Sequence, residues 1–155
     1  MGYSSPWKRW LKVVVFLLLF LWWGSSRFIY VDFKQGCAIT VEPAFLNFNN
    51  RSIVDALKIL KNASPADYTR TCAYVEHIGT TLPPTGCPFL GGGCFWSKNP
   101  NNIYIQHGAN TQAITASTIA HEACHAEQFA RNEDGSEPEC YAAGTRVIKN
   151  IISLP

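Results

Sequence analysis

The spacing of apolar positions along this 155-residue chain changes several times, and each change marks a predicted element. Lys8, Arg9 and Lys12 precede Val13 to Trp23, eleven residues without a polar side chain. That run is shorter than the ~20 apolar residues of a spanning helix and fits the apolar centre of an export signal. Gly24 and Ser26 offer the small residues of a cleavage site, while Trp22 and Trp23 fit the interfacial belt of an uncleaved anchor. A buried core helix is the competing reading, and the basic flank opposes it. Residues 1–27 are therefore predicted to be a signal peptide or membrane anchor. Residues 28–155 then form one domain, large enough to bury a modest core.

Within that domain, Phe28 to Phe45 is apolar and β-branched around Gly36 and predicts one or two strands. Ile53, Val54, Leu57, Ile59 and Leu60 recur at helical spacing; Asn50 or Arg51-Ser52 can begin the helix, and Lys58 and Lys61 lie near its end. Residues 63–67, with Pro65, read as a stop. Thr71 to Ile78 predicts a strand, and Gly79 to Asn101 a Gly- and Pro-rich loop of a length that is normally functional or covalently tied. Ile103-Tyr104-Ile105 predicts a short strand and Thr111 to Ala130 a helix. Arg131 to Ser136 is a polar turn. Glu137 to Ile152 predicts a last helix with Val147, Ile148, Ile151 and Ile152 on its apolar side. These elements make an α+β domain.

Charge and cysteine content narrow its setting. The net charge of +2 misleads, because from Phe28 onward nine Lys and Arg face eleven Asp and Glu, a balance of −2. No dense basic patch remains, so nucleic acid is a poor partner. All six cysteines follow the apolar segment, as in an exported domain with up to three disulfides. Fifteen pairings are possible. The pairing expected is Cys87 with Cys94, Cys37 with Cys72, and Cys124 with Cys140; free thiols in a reducing compartment are the alternative.

Candidate chemistry concentrates in His121-Glu122-Ala123-Cys124-His125. At ~100° per residue, positions i and i+4 share a helix face, so both imidazoles can reach one ion while Glu122 is available as a base. A helical wheel groups Ile114, Thr118, His121, His125 and Phe129 on a cleft side. Ala116, Ile119, Ala120, Ala123 and Ala130 fall opposite, where they pack into the core. Hydrolytic zinc takes three protein ligands and keeps one position open. Glu139 is the expected third ligand, followed by Glu137 and then Glu133. Ser136-Glu137-Pro138-Glu139 also spells a helix capping box, a rival task for Glu139. The expected reaction is metal-assisted hydrolysis, with zinc-bound water as nucleophile and Glu122 as general base. The bland reading is a solvated helix face with two histidines by chance. Cys124 is a further possible ligand, with a disulfide to Cys140 as its competing fate. His107 and Tyr141 are weaker candidates for oxyanion stabilisation, and His77 reads as an ordinary surface or structural histidine.

His121, Glu122, His125 and the run Glu139-Cys140-Tyr141-Ala142 resemble the gluzincin metallopeptidases, in which HExxH on one helix is completed by a glutamate on the next. The likeness covers roughly residues 50–152. It implies a zincin-like fold, a small mixed sheet with an active-site helix and a following ligand helix, and a peptide or unfolded segment as substrate. It also implies that the strand Ile103 to Gln106 forms the cleft rim, where an extended peptide adds itself as another strand. Ala143 stands where many relatives carry an aspartate that orients a histidine ligand, which leaves that partner unidentified. Two functions stay open: an exported or membrane-anchored zinc peptidase acting outside the cytoplasm, and a non-catalytic, disulfide-stapled envelope domain that binds a protein partner through Phe89, Phe95 and Trp96.

Overall fold

A computed structural model describes residues 6–25, 28–42, 51–80, 92–106 and 111–154. The N-terminal apolar run is helical, α1 (Pro6–Ser25), and its side chains from Trp10 to Trp22 are exposed. No described helix is long and apolar enough to cross a membrane. The candidate cleavage position after Ser26 lies outside the described residues.

The expected β-branched region forms a hairpin. Strand β1 (Ile29–Asp32) runs antiparallel to β2 (Cys37–Val41), with Tyr30 opposite Ile39. Gly36 closes the turn between them at φ +63°, a backbone state that a side chain disfavours. Along β2, Cys37, Ile39 and Val41 are buried and the residues between them exposed, the alternation that one sheet face against a core requires. Helix α2 (Arg51–Ala63) follows and buries Ile53, Ala56, Leu57 and Leu60.

Pro65 begins the next element instead of stopping the last one. Helix α3 (Pro65–Tyr74) carries it in the first turn, where a missing N–H costs nothing. The strand expected from Thr71 is consequently a helix end, and only β3 (His77–Gly79) survives of it. The predicted long loop likewise contains a strand, β4 (Gly93–Phe95), ahead of β5 (Asn102–Ile105). The sheet order is β1-β2-β3-β5-β4, with β2, β3 and β5 parallel and the two end strands antiparallel to their neighbours. The fold is thus α+β with a small mixed sheet.

Helix α4 (Gln112–Ala130) is the hub, packed on α2, α3, β4, β5 and the last helix, α5 (Glu137–Ser153). Thr111 caps it by accepting the Ile114 amide. Ala116, Ile119, Ala120 and Ala123 are fully buried against Ile39, Leu57, Leu60, Ile78 and Ile103 in one core, as the helical wheel predicts. Ala130, at the helix end, is exposed instead.

Disulfides fasten the helices to the sheet and to each other. Cys37–Cys72 joins β2 to α3, and Cys124–Cys140 joins α4 to α5, both as expected. Cys94 is also disulfide-bonded, and its expected partner Cys87 lies outside the described residues. A buried carboxylate adds a further tie: Asp67 on α3 accepts from the more exposed Arg146 on α5 at 2.6 and 2.9 Å and from Arg70 at 2.9 Å.

Candidate metal centre

His121 and His125 occupy successive turns of α4, on the side turned away from the alanine-rich core face. Their rings meet nearly edge-on with Nε2 atoms 3.2 Å apart. Glu137 Oε2 stands 3.4 Å from the first Nε2 and 3.5 Å from the second, so three donor atoms form a nearly equilateral triangle. Ligands held about 2.0–2.1 Å from one tetrahedral ion stand about 3.3–3.4 Å apart. The triangle therefore fits a single small cation, and the chemistry of the set, two nitrogens and a carboxylate oxygen, suits a transition metal.

The carboxylate that completes the triangle is not the one expected. Glu139 turns to Gln128, whose Nε2 donates to it at 2.8 Å, and lies 3.7 Å from Arg131. Helix geometry explains the exchange. Pro138 fixes the start of α5 at Glu137, and side chains lean toward a helix N-terminus, so the first residue reaches over the end toward α4. Glu139 sits two residues deeper and meets the flank of α4 instead. The capping box does not form either, since Ser136 makes no side-chain cap bond. Glu133, the last fallback, is exposed and pairs with Arg131 at 3.2 Å. The Cys124–Cys140 disulfide ties the two helices beside the triangle, joining the residue before His125 to one a turn beyond Glu137.

The donors face a cleft of about 670 Å³ between β4 and the α4–α5 pair, lined by Gly93, Phe95, Thr118, Glu122, Tyr141 and Thr145 among others. Glu122 is only 5 % exposed. Burial pushes its carboxyl up to about 8, held back by the Phe95 backbone amide and pushed further by the charge of Glu137. A cation beside it would reverse that direction. Burial also lowers the pKa of His121, as does neighbouring His125, against the pull of Glu137 and a backbone hydrogen bond to Cys140. The neutral imidazole so favoured is the form that binds metal.

Close backbone approach shapes both walls. A Cβ on Gly93 would lie 2.5 Å from Thr118 Cγ2 and 2.8 Å from Glu122 Oε1, so only glycine lets β4 reach Glu122. A Cβ on Gly144 would meet Ser117 Oγ at 2.9 Å, and Ser117 donates to the Gly144 carbonyl at the same distance. These contacts bring α5 onto α4 beside His121.

The remaining candidates separate. Tyr141 lies over His121, ring centroids 4.8 Å apart, and at 64 % exposure faces the cleft. Cys124 is consumed by its disulfide. His77 pairs with Thr40 and Glu42 in the sheet, away from the cluster. His107 lies outside the described residues. The strand Ile103 to Gln106 is not the rim: β5 pairs on one side with β3 and on the other with β4, and β4 is the outer described strand beside the cleft. Sequence reasoning missed Gly93, Gly144 and Gln128. Of these only Gln128 carried a signal, its i+3 spacing from His125.

Comparison with protein families, curated proteins and solved structures gives no match for this chain. The functional reading rests on the geometry of the cleft.

Proposed function

We propose that this chain is a zinc-dependent peptidase of gluzincin type on a zincin-like fold, acting on peptides outside the cytoplasm. The observation that carries the reading is the His121–His125–Glu137 triangle opening onto a cleft that also holds Glu122. Two imidazoles and a carboxylate form a donor set used by catalytic zinc, whereas a structural zinc closes with four protein ligands. Among the described residues the triangle offers three, all on one wall of an open cleft.

When bound, zinc supplies Lewis acidity, which makes water acidic near neutral pH and polarises a substrate carbonyl. His121, His125 and Glu137 hold it. Glu122 then takes a proton from the attacking water on its carboxylate and returns it to the departing amine, as a base and then an acid. The Phe95 amide keeps that carboxylate oriented, and Tyr141, which lines the same cleft, would donate its hydroxyl to a developing oxyanion.

The register of β4 supports a peptide as substrate. Gln106 donates to Gly92, which makes that pair and the Cys94–Tyr104 pair the hydrogen-bonded ones. The backbone groups of Gly93 and Phe95 consequently point away from β5; the Phe95 amide meets Glu122, which leaves those of Gly93, on the cleft lining, to pair with an added strand. An extended chain laid there adds itself as a strand, its scissile bond beside Glu122. Two disulfides favour an oxidising compartment, and the apolar run of α1 that follows Lys8, Arg9 and Lys12 favours export or anchoring.

The test is Glu122→Gln in the full chain. Zinc content should match the wild type while hydrolysis of an unstructured polypeptide falls about 10²–10⁴-fold, the usual worth of a positioned base. Hydrolysis that persists in this variant excludes the mechanism. A wild type that binds zinc but cleaves nothing favours the envelope-domain reading instead.

A further inference from the structure

Gln128 lies one turn beyond His125 on α4 and is 1 % exposed. A buried amide must satisfy both of its ends, and which end is oxygen follows from what each end meets. Here the neighbours decide. The Ser136 carbonyl, 3.2 Å away, can only accept, and so does the Glu139 carboxylate at 2.8 Å, so the amide presents Nε2 to them. The other end, Oε1, then faces His125 Nδ1 at 3.2 Å. An amide oxygen only accepts, so the proton of a neutral His125 resides on Nδ1. The disulfide sulfur of Cys140, 3.5 Å from the same nitrogen, has no proton to offer either. His125 Nε2 is therefore bare, and it is the atom directed at His121 Nε2 and Glu137.

The geometry points to Gln128 as a positioning residue for the metal centre: Glu139 and the Ser136 carbonyl orient its amide, and its oxygen fixes the tautomer and ring plane of His125. Glu139 thus acts two steps behind the ion instead of on it. A metal-ligating histidine that donates its second N–H to an oriented acceptor is a better ligand, and such partners govern affinity. The network supplies the partner whose place Ala143 leaves vacant. The functional consequence rests on the metal-site reading above, whereas the proton position is a property of the metal-free chain.

Nitrogen-15 correlation spectra of the metal-free full chain at about pH 8, above the ordinary imidazole range, read which ring nitrogen of His125 carries hydrogen. The expected result is Nδ1–H. Gln128→Met should move the proton toward Nε2 and weaken zinc binding about 10–100-fold in a competitive chelator titration. Gln128→Glu combined with Glu139→Gln, which exchanges the two groups and so keeps both an acceptor opposite Nδ1 and a donor between the two side chains, should keep the Nδ1–H form. A wild-type His125 protonated on Nε2 overturns the inference and leaves the metal centre standing. So does Gln128→Met with tautomer and affinity unchanged. A wild type with Nδ1–H that takes up no zinc upholds the tautomer, and the metal-centre reading alone fails. The wild-type spectrum decides the proton position even where Gln128→Met does not fold.

Discussion

Gly93 carries more of the cleft than its size suggests, because its missing side chain is the space into which Thr118 and Glu122 project. Gly93→Ala should cost about 1–3 kcal/mol in denaturant unfolding, the usual penalty of an overpacked contact. It should also lower hydrolysis by displacing Glu122. Thr118→Ser in the same background removes the nearer clash and should restore part of both; full wild-type stability in Gly93→Ala alone would contradict the close approach. At this scale the sequence was half legible. His121, Glu122 and His125 followed from helical spacing, which fixes neighbours within one element. The third donor did not, because choosing between Glu137 and Glu139 depends on where α5 begins and on how it crosses α4. Pro138 marked that beginning, and its effect on reach is visible only once α4 is in place.

The α4–α5 pair is the element-scale unit of the site, held by Cys124–Cys140, by Ser117 on Gly144, and by Gln128 on Ser136 and Glu139. Cross-linking residues 16 apart stabilises by about 3 kcal/mol through loop-closure entropy. Replacing both cysteines by alanine should cost about that much in chemical denaturation. It should also weaken zinc binding, since the covalent tie one turn from Glu137 is then gone and only hydrogen bonds and packing hold α5 on α4. Unchanged zinc affinity in that variant would show that helix packing alone places Glu137. Helices α2, α4 and α5 were readable from periodicity, one or two strands were expected from the β-branched residues around Gly36, and two disulfide pairings were anticipated. The segment after Ala63 was not, because Pro65 stops one helix and opens another with the same chemistry. Strand β4 was missed for a different reason: three residues amid glycines have no period, and only pairing with β5 defines them.

Over the whole molecule, the buried Asp67 joins α3 to α5. Burial raises its pKa, but Arg146, Ser64 and Arg70 more than offset this and hold the carboxyl below the ordinary value of 3.8. A depressed folded-state pKa contributes stability that is complete above the unfolded value and drains as pH falls through the folded one. Melting temperature should therefore fall between pH 7 and the region below 3.8, and Asp67→Asn should flatten that dependence while costing about 1–3 kcal/mol at neutral pH. An equally steep acid loss in Asp67→Asn would assign the effect to other carboxylates. The α+β class and the core face of α4 followed from sequence, whereas the strand order did not, since parallel pairing joins segments that nothing local relates.

The central claim, one zinc held by His121, His125 and Glu137, is tested most directly by metal analysis of the full chain and two carboxylate variants. The result expected is about one zinc per chain in the wild type and in Glu139→Ala, and none in Glu137→Ala. A wild type without zinc after reconstitution at neutral pH, or zinc lost with Glu139 and kept without Glu137, would contradict the account.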